Sequence, residues 1–180
     1  KNENNILPLK KEGKVALIGP LADTRNNIAG TWSVAQVPEK YTTLKEAMQQ
    51  ALKGKAELLY AQGSNIWRDA QLQKNGEFDK PMQRGDNELL KAEAIKVAKD
   101  ADIIVCAMGE SADMSGECGS RTNLEMPDVQ HELLAELVKL GKPVVLLNFS
   151  GRPTVLTWEK EHVPAIMNVW FGGSEVGDAI

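Results

Sequence analysis

Five short apolar runs recur along the chain, and segments of helical period separate them. The runs lie at 15–18, 58–60, 103–108, 144–147 and 166–171. Most are continuous rather than alternating, which is typical of strands covered on both faces. Apolar residues spaced by three and four positions at 44–52, 90–101 and 129–140 predict amphipathic helices. The alternation predicts an α/β fold, a three-layer sandwich with a mainly parallel sheet and helices on both faces, Rossmann- or flavodoxin-like.

Three loops are expected to meet at one edge of this sheet. Strand ends of one polarity share an edge in a parallel sheet, and we call the edge at the carboxyl ends the carboxyl rim. The loops at 19–43, 63–86 and 109–127 follow the first three strands, so they should share this rim. The segment 61–86 has no sustained period and predicts an excursion over the surface. The acidic loop, residues 109–127, is long for a compact domain, and such loops are commonly functional.

Composition and charge narrow the class of protein. The 180 residues, taken as one α/β-sandwich domain spanning 1–180, carry a formal charge of −4 without a basic cluster, which disfavours nucleic acid as the main partner. No apolar run approaches the roughly 20 residues needed to span a bilayer. The chain starts at Lys1 rather than Met and ends at Ile180 without a helix stop signal. We therefore expect a piece of a longer chain, truncated at its C-terminal end.

Several common site motifs are missing from the sequence. The first strand is followed by Gly19 and Pro20 rather than by a Gly-x-Gly-x-x-Gly turn, and no Walker loop occurs, so no nucleotide cofactor is expected. His131 lacks the second histidine of a zinc-protease helix and is predicted to be a helix-surface residue; no metal site is predicted. Cys106 is predicted to be a buried small hydrophobe. A disulfide between Cys106 and Cys118 stays open at this point.

The first part of the acidic loop, residues 109–121, holds three carboxylates and one arginine. Glu110 follows the strand directly, whereas Asp113 and Glu117 lie in the exposed middle. A lone loop carboxylate is usually a solvated charge, but Glu117 stands between two glycines that let the backbone turn sharply around it. Arg121 could act on Glu117 electrostatically, or it could clamp the loop by pairing with Glu110 or Asp113. Both roles for Arg121 are open.

Trp32 lies in the polar stretch Gly-Thr-Trp at 30–32, where burial explains a tryptophan less easily than in a strand. Sugar rings pack their C–H faces on aromatic planes while their hydroxyls seek carboxylates and arginine. Trp32 on the same rim as the acidic loop therefore fits a carbohydrate site, and a tryptophan tucked into a small loop core is the competing interpretation. Trp67 and Trp158 are weaker candidates. Trp170, in an apolar run, is predicted to lie in the core.

Several separated motifs, in order, resemble one family over essentially the whole chain. They are Lys-Asn-Glu-Asn-Asn-Ile-Leu-Pro-Leu at 1–9, Ile-Gly-Pro-Leu-Ala-Asp at 18–23, Gly-Thr-Trp at 30–32, Met-Ser-Gly-Glu at 114–117, Ser-Arg at 120–121, Ser-Gly-Arg-Pro at 150–153 and Trp-Phe-Gly-Gly at 170–173. With these marks the chain resembles the second, α/β-sandwich domain of glycoside hydrolase family 3, especially the bacterial β-glucosidase type that is usually exported to the periplasm.

The resemblance implies a fold, a reaction and roles for individual residues. In this family a (β/α)₈ barrel comes first and supplies an aspartate nucleophile, and the sandwich contributes the acid/base glutamate. By motif, Glu117 is implied as the general acid/base and Trp32 as the aromatic wall of the leaving-group subsite, while Arg121 is a candidate for substrate binding. The implied reaction is retaining hydrolysis of terminal β-D-glucosyl residues from a glucoside or β-linked oligosaccharide, in the periplasm or outside the cell. Without the barrel, this piece alone is expected to fold but not to hydrolyse glycosides.

Two other classes of function stay open from the sequence. The chain could be a non-catalytic, Rossmann-like binding or interface module whose loop carboxylates hold it to a neighbouring domain. A nucleotide-binding domain is a third and weaker hypothesis.

Overall fold

The computed structural model describes residues 1–33, 35–75, 82–117 and 119–180. Its centre is a sheet of five strands, every pair of which is parallel. The strands are β1 (Lys14–Ile18), β2 (Glu57–Ala61), β3 (Ile103–Gly109), β4 (Val144–Phe149) and β5 (Ala165–Asn168), in the spatial order β2-β1-β3-β4-β5. The predicted parallel α/β sheet is confirmed.

Six α-helices accompany the strands in the described part of the chain. They are α1 (Leu44–Leu52), α2 (Ala70–Asn75), α3 (Asn87–Asp100), α4 (Asp128–Val138), α5 (Thr157–His162) and α6 (Val176–Ala179). Thr43 and Glu46 form a reciprocal capping box at the start of α1, and the Asp86 carboxylate accepts from two free amides at the start of α3. These caps explain why the helices begin where the sequence changes from polar loop to apolar period.

The apolar side chains divide into two cores, one on each face of the sheet. Val15, Leu17, Val105 and Leu147 point to the face covered by α1 and α6. The strand residues between them point to the other face, where they pack on the alanines of α3 and the leucines of α4. Each strand therefore supplies both cores in alternation, which confirms the three-layer arrangement and explains the continuous apolar runs.

The differences from the predicted elements are local. The six-residue helices α2 and α5 were not predicted because so few residues cannot show a helical period. The apolar run at 166–171 is only partly strand: β5 ends at Asn168, and Trp170 has a left-handed backbone with φ of 54° and is 46% exposed. The prediction that Trp170 lies in the core was wrong, because the chain turns away from the sheet before this residue.

The β5 edge of the sheet is partly covered by the start of the chain. The Lys1 carbonyl accepts from the Ile166 amide at 2.9 Å, and Asn2 forms an antiparallel bridge with Ala165. Among the described residues, no helix combines the length and the apolar character that a membrane span requires.

Candidate active site at the carboxyl rim

The acidic loop begins at a glycine that no other residue can replace without strain. Gly109, the last residue of β3, has φ of 131°, and a Cβ there would lie 2.0 Å from the Phe149 carbonyl oxygen. The tight contact keeps the ends of β3 and β4 side by side. Glu110 follows immediately and donates its backbone N–H to the same Phe149 oxygen at 2.8 Å. The loop after β3 and the loop after β4 therefore leave the carboxyl rim together.

Glu110 is the centre of a buried ionic network. Its side chain is only 1% exposed. Arg121 donates from Nη1 to Oε1 at 2.5 Å, Arg152 Nε lies 3.3 Å from the same oxygen, and Ser150 Oγ is 3.1 Å from Oε2. A buried carboxylate needs this kind of compensation, because an unpaired charge away from water is costly. Glu110 is thus a structural anchor rather than a solvated carboxylate.

Arg121 joins the two ends of the acidic loop. Besides Glu110, it donates from Nη2 to the Glu125 carbonyl at 2.9 Å, and its guanidinium lies 5.1 Å from the ring centre of Trp67. Its side chain is 10% exposed and lines a depression beside the loop together with Asp113. Of the two roles left open by the sequence, the structure shows the clamp on Glu110. The predicted contact of Arg121 with substrate stays a prediction.

A third loop, the one after β1, is attached to the acidic loop through Thr31. The Thr31 hydroxyl lies within hydrogen-bond distance of the Ala112 and Ser115 carbonyls, with 2.6 Å to the latter. The Asn27 side chain, from the same β1 loop, accepts from the Ala112 amide at 2.9 Å. The loops after β1 and β3 therefore form one unit at the rim, as the parallel topology predicts.

Glu117 is held out into solvent by this framework. The backbone turns at Gly116, whose φ is 100°, and the Gly119 amide closes the turn on the Gly116 carbonyl at 3.1 Å. Glu117 is exposed, and within the described part of the chain its carboxylate has no hydrogen-bond partner. A carboxylate presented in this way is available to a ligand or to another domain.

Trp32 is carried by the β1 loop, which contacts the acidic loop next to Glu117. A Cβ on Gly116 would lie 3.2 Å from Thr31 Cβ, so the two residues that directly precede Glu117 and Trp32 are in contact. Trp32 itself is 67% exposed, which does not fit the interpretation as a buried loop core. An exposed indole and an exposed carboxylate on two loops in contact are the kind of groups that bind a sugar ring.

The other candidate side chains from the sequence pack against neighbouring side chains of the fold. His131 lies on α4 and approaches the buried Glu159 carboxylate with Nδ1 at 3.1 Å, while Trp158 packs edge-on against His131 and stacks on His162. Trp67 is covered by Arg121. These aromatic faces are therefore used within the fold. No group of three or more His, Cys, Asp or Glu suited to a metal ion occurs among the residues that the structure describes.

Of the two cysteines in the sequence, the structure describes Cys106. Cys106 is a fully buried free thiol, and burial raises its pKa far above the ordinary value, so the thiol stays protonated and unreactive. This agrees with the prediction of a small buried hydrophobe. Cys118 lies outside the described residues.

Two residues that organise the site were missed by the sequence reasoning. Arg152 had no assigned role, although the Ser-Gly-Arg-Pro motif follows β4 and parallel strands bring that point to the carboxyl rim. Thr31 was passed over in favour of the tryptophan next to it. The available indication for Arg152 was its place in the short polar stretch that follows a buried strand, since such a stretch lies at the shared rim.

The whole chain, residues 1–180, matches the family model described as Glycosyl hydrolase family 3 C-terminal domain. The fold and the rim site thus define a glycoside hydrolase family 3 C-terminal domain, and this chain belongs to that family. The resemblance stated from the motifs is confirmed.

Three individual proteins of known name are similar to this chain. A protein named periplasmic β-glucosidase, from Salmonella typhimurium, is 40% identical over all of this chain and 24% of its own length. A protein named β-xylosidase, from Formosa agariphila, is 31% identical over all of this chain and 23% of its own length. A crystal structure of a Listeria innocua β-glucosidase with glucose has a TM-score of 0.78 at 28% identity, over 99% of this chain and 22% of that one. The chain therefore spans about a quarter of the length of these relatives.

Proposed function

We propose that this chain is the second domain of a retaining, exo-acting β-glucosidase that removes terminal β-D-glucosyl residues, with Glu117 as the general acid/base. The observation that carries the proposal is the exposed Glu117 carboxylate, which has no hydrogen-bond partner among the described residues, on a loop whose base is fixed by buried ion pairs. The family assignment and the β-glucosidase relatives support it. The proposal accounts for why the base of the loop is fixed by ion pairs while the Glu117 side chain is exposed.

The chemistry needs a second carboxylate that this chain does not supply. In retaining hydrolysis one carboxylate attacks the anomeric carbon while an acid protonates the departing oxygen, and the same acid, now ionised, then takes a proton from water. The two carboxyl groups lie about 5 to 5.5 Å apart in such enzymes. We propose that the nucleophile comes from a barrel domain of the full-length chain, docked against the carboxyl rim where Glu117 is presented.

Trp32 and Arg121 have proposed roles in binding the substrate. The exposed indole of Trp32 would form the aromatic wall of the leaving-group subsite, next to the acid that protonates the leaving group. Arg121 would reach a ligand through the depression it lines, while Glu110 holds its guanidinium in place. A periplasmic or secreted location is proposed because one relative is named as a periplasmic enzyme.

The test of this function is the leaving-group dependence of a Glu117→Ala variant in the full-length chain. Protonation of a poor leaving group requires the acid, so hydrolysis of phenyl β-glucoside should fall by about 10² to 10⁴-fold. Hydrolysis of 2,4-dinitrophenyl β-glucoside needs little protonation in its first step and should be largely spared in kcat/KM. Azide, which attacks the glycosyl-enzyme without a general base, should raise the turnover of the variant.

Two comparisons make the outcome decisive. An equal loss on both glucosides, with no azide effect, would contradict the acid/base role and favour a non-catalytic interface module. Assaying the matching β-xylosides separates a glucosidase from the xylosidase activity for which the Formosa relative is named. The isolated 180-residue chain should hydrolyse none of these substrates.

A further inference from the structure

Arg152 holds the acidic loop on both sides of Glu117. The two hydrogens of its Nη2 are directed at two backbone carbonyls, that of Met114 and, at 2.6 Å, that of Gly119. One carbonyl precedes Glu117 in the chain and the other follows it. A single guanidinium nitrogen therefore closes the base of the turn that carries the proposed acid.

The guanidinium that does this is itself fixed by the rest of the rim. Arg152 Nε lies 3.3 Å from Glu110 Oε1, and the Arg152 amide donates to Ser150 Oγ at 3.0 Å. The Arg152 side chain is 20% exposed, and it shares with Arg121 the negative charge of Glu110, a carboxylate that is almost fully buried. The contact with Met114 and Gly119 is thus made from an ordered donor rather than from a mobile surface arginine.

The position of the Glu117 carboxylate depends on this clamp. Within the turn itself, the Gly119 amide contacts the Gly116 carbonyl, and glycine at both positions gives the backbone freedom to adopt other conformations. Proton transfer needs the acid within hydrogen-bond reach of the leaving oxygen, and displacement of such a group by 1 Å can cost about 10²-fold in rate. Arg152 removes that freedom at the two carbonyls where the turn begins and ends.

We propose that Arg152 is a positioning residue for the acid/base step: it sets the place of the Glu117 carboxylate by binding the carbonyls of Met114 and Gly119. The proposal rests on the proposed function of Glu117. Arg152 does not touch the reacting atoms in this mechanism. It acts on the reaction through the backbone of the loop, and the charge of Glu110 keeps it in place.

The test uses Arg152→Met and Arg152→Lys in the full-length chain, with Glu117→Gln as the reference. Methionine removes the donors, and lysine keeps the charge but cannot reproduce the planar fork. For phenyl β-glucoside we expect kcat/KM to fall about 100-fold in Arg152→Met and less in Arg152→Lys, because the acid is misplaced. For 2,4-dinitrophenyl β-glucoside we expect a change within about threefold, and azide should raise turnover.

A matched control and an independent readout separate positioning from general damage. Arg68→Lys makes the same substitution at an arginine whose ion pairs are with Asp128 and Glu132 of α4 rather than with Glu110, and it should leave both substrates unaffected. Hydrogen exchange of the peptide containing residues 112–121 should become faster in Arg152→Lys than in Arg68→Lys. If Arg152→Met does not fold, Arg152→Lys carries the test through these two measurements.

Failure of the positioning role of Arg152 and failure of the acid/base role of Glu117 give different results. An equal loss on both glucosides in Arg152→Lys, or folded Arg152 variants with unchanged kinetics and unchanged exchange, would contradict the positioning role while Glu117 keeps its own. If Glu117→Gln shows no leaving-group dependence, the proposed function fails instead.

Discussion

The base and the tip of the acidic loop are built in opposite ways. At the base, Glu110 is buried and receives contacts from Arg121, Arg152 and Ser150. At the tip, Glu117 is exposed and has no hydrogen-bond partner within the described residues. The comparison teaches that the fold uses its polar contacts to fix the backbone at the base of the loop and leaves the side chain proposed as the acid/base exposed. Such preorganisation lets a charged group act without first breaking bonds within the protein.

The largest effect on this comparison should come from Glu110→Gln. Neutralising the carboxylate leaves the Arg121 and Arg152 guanidinium groups beside each other without their shared counter-charge. We expect a loss of about 3 kcal/mol in the free energy of unfolding, since removing one partner of a buried ion pair is strongly destabilising. Urea unfolding of the variant measures it. The same substitution at Glu136, which pairs with Lys139 at the surface, should cause no measurable change. Equal losses of stability at both positions would contradict a stabilising role for the Glu110 network at the base of the loop.

A smaller effect is expected when the link between the two rim loops is removed by Thr31→Val. Valine keeps the shape of the side chain but takes away the donor shared by the Ala112 and Ser115 carbonyls. The free energy of unfolding should fall by about 1 kcal/mol, the usual net value of one hydrogen bond. Thr122→Val, at an exposed threonine of the acidic loop, is the control. If both variants unfold at the same urea concentration as the unaltered protein, Thr31 does not join the loops.

The smallest effect on stability should come from Trp32→Ala, in the β1 loop that contacts the tip at Gly116. Because this indole is 67% exposed, its loss should change the free energy of unfolding by no more than about 0.5 kcal/mol. In the full-length chain, however, KM for a disaccharide should rise, since the wall of the leaving-group subsite is gone. Trp67→Ala, which removes the half-buried ring beneath Arg121, should instead reduce stability clearly. A large loss of stability in Trp32→Ala would contradict the exposed position of its side chain.

The fold was largely predictable from the sequence because it depends on periodicity. Continuous apolar runs predicted strands buried on both faces, and proline and glycine marked the limits of α4. The short helices α2 and α5 were not predictable, because six residues give no periodic pattern. Trp170 was placed wrongly for a related reason, since nothing in an apolar run shows where the chain leaves the sheet.

The site was predictable only in part. The meeting of the loops at the carboxyl rim followed from topology, whereas the roles of Glu117 and Trp32 rest on motifs and stay proposals. The partners of Glu110 could not be predicted in full, because Arg152 is distant along the chain and the choice of partner depends on side-chain geometry at the rim. Sequence patterns report which residues meet at an edge, whereas they do not report which of several charges will pair there.

The register between β3 and β4 has a consequence for how the sheet assembles. Gly109 is aligned with Phe149, so the residues that follow the two strands, Glu110 and Ser150, lie next to each other. If the strands slipped by one residue, the buried carboxylate would face a phenyl ring on one side and Arg152 would no longer reach it. The contacts that hold the base of the acidic loop thus also penalise misaligned pairing of β3 and β4, so one set of side chains both shapes the rim and fixes the strand register.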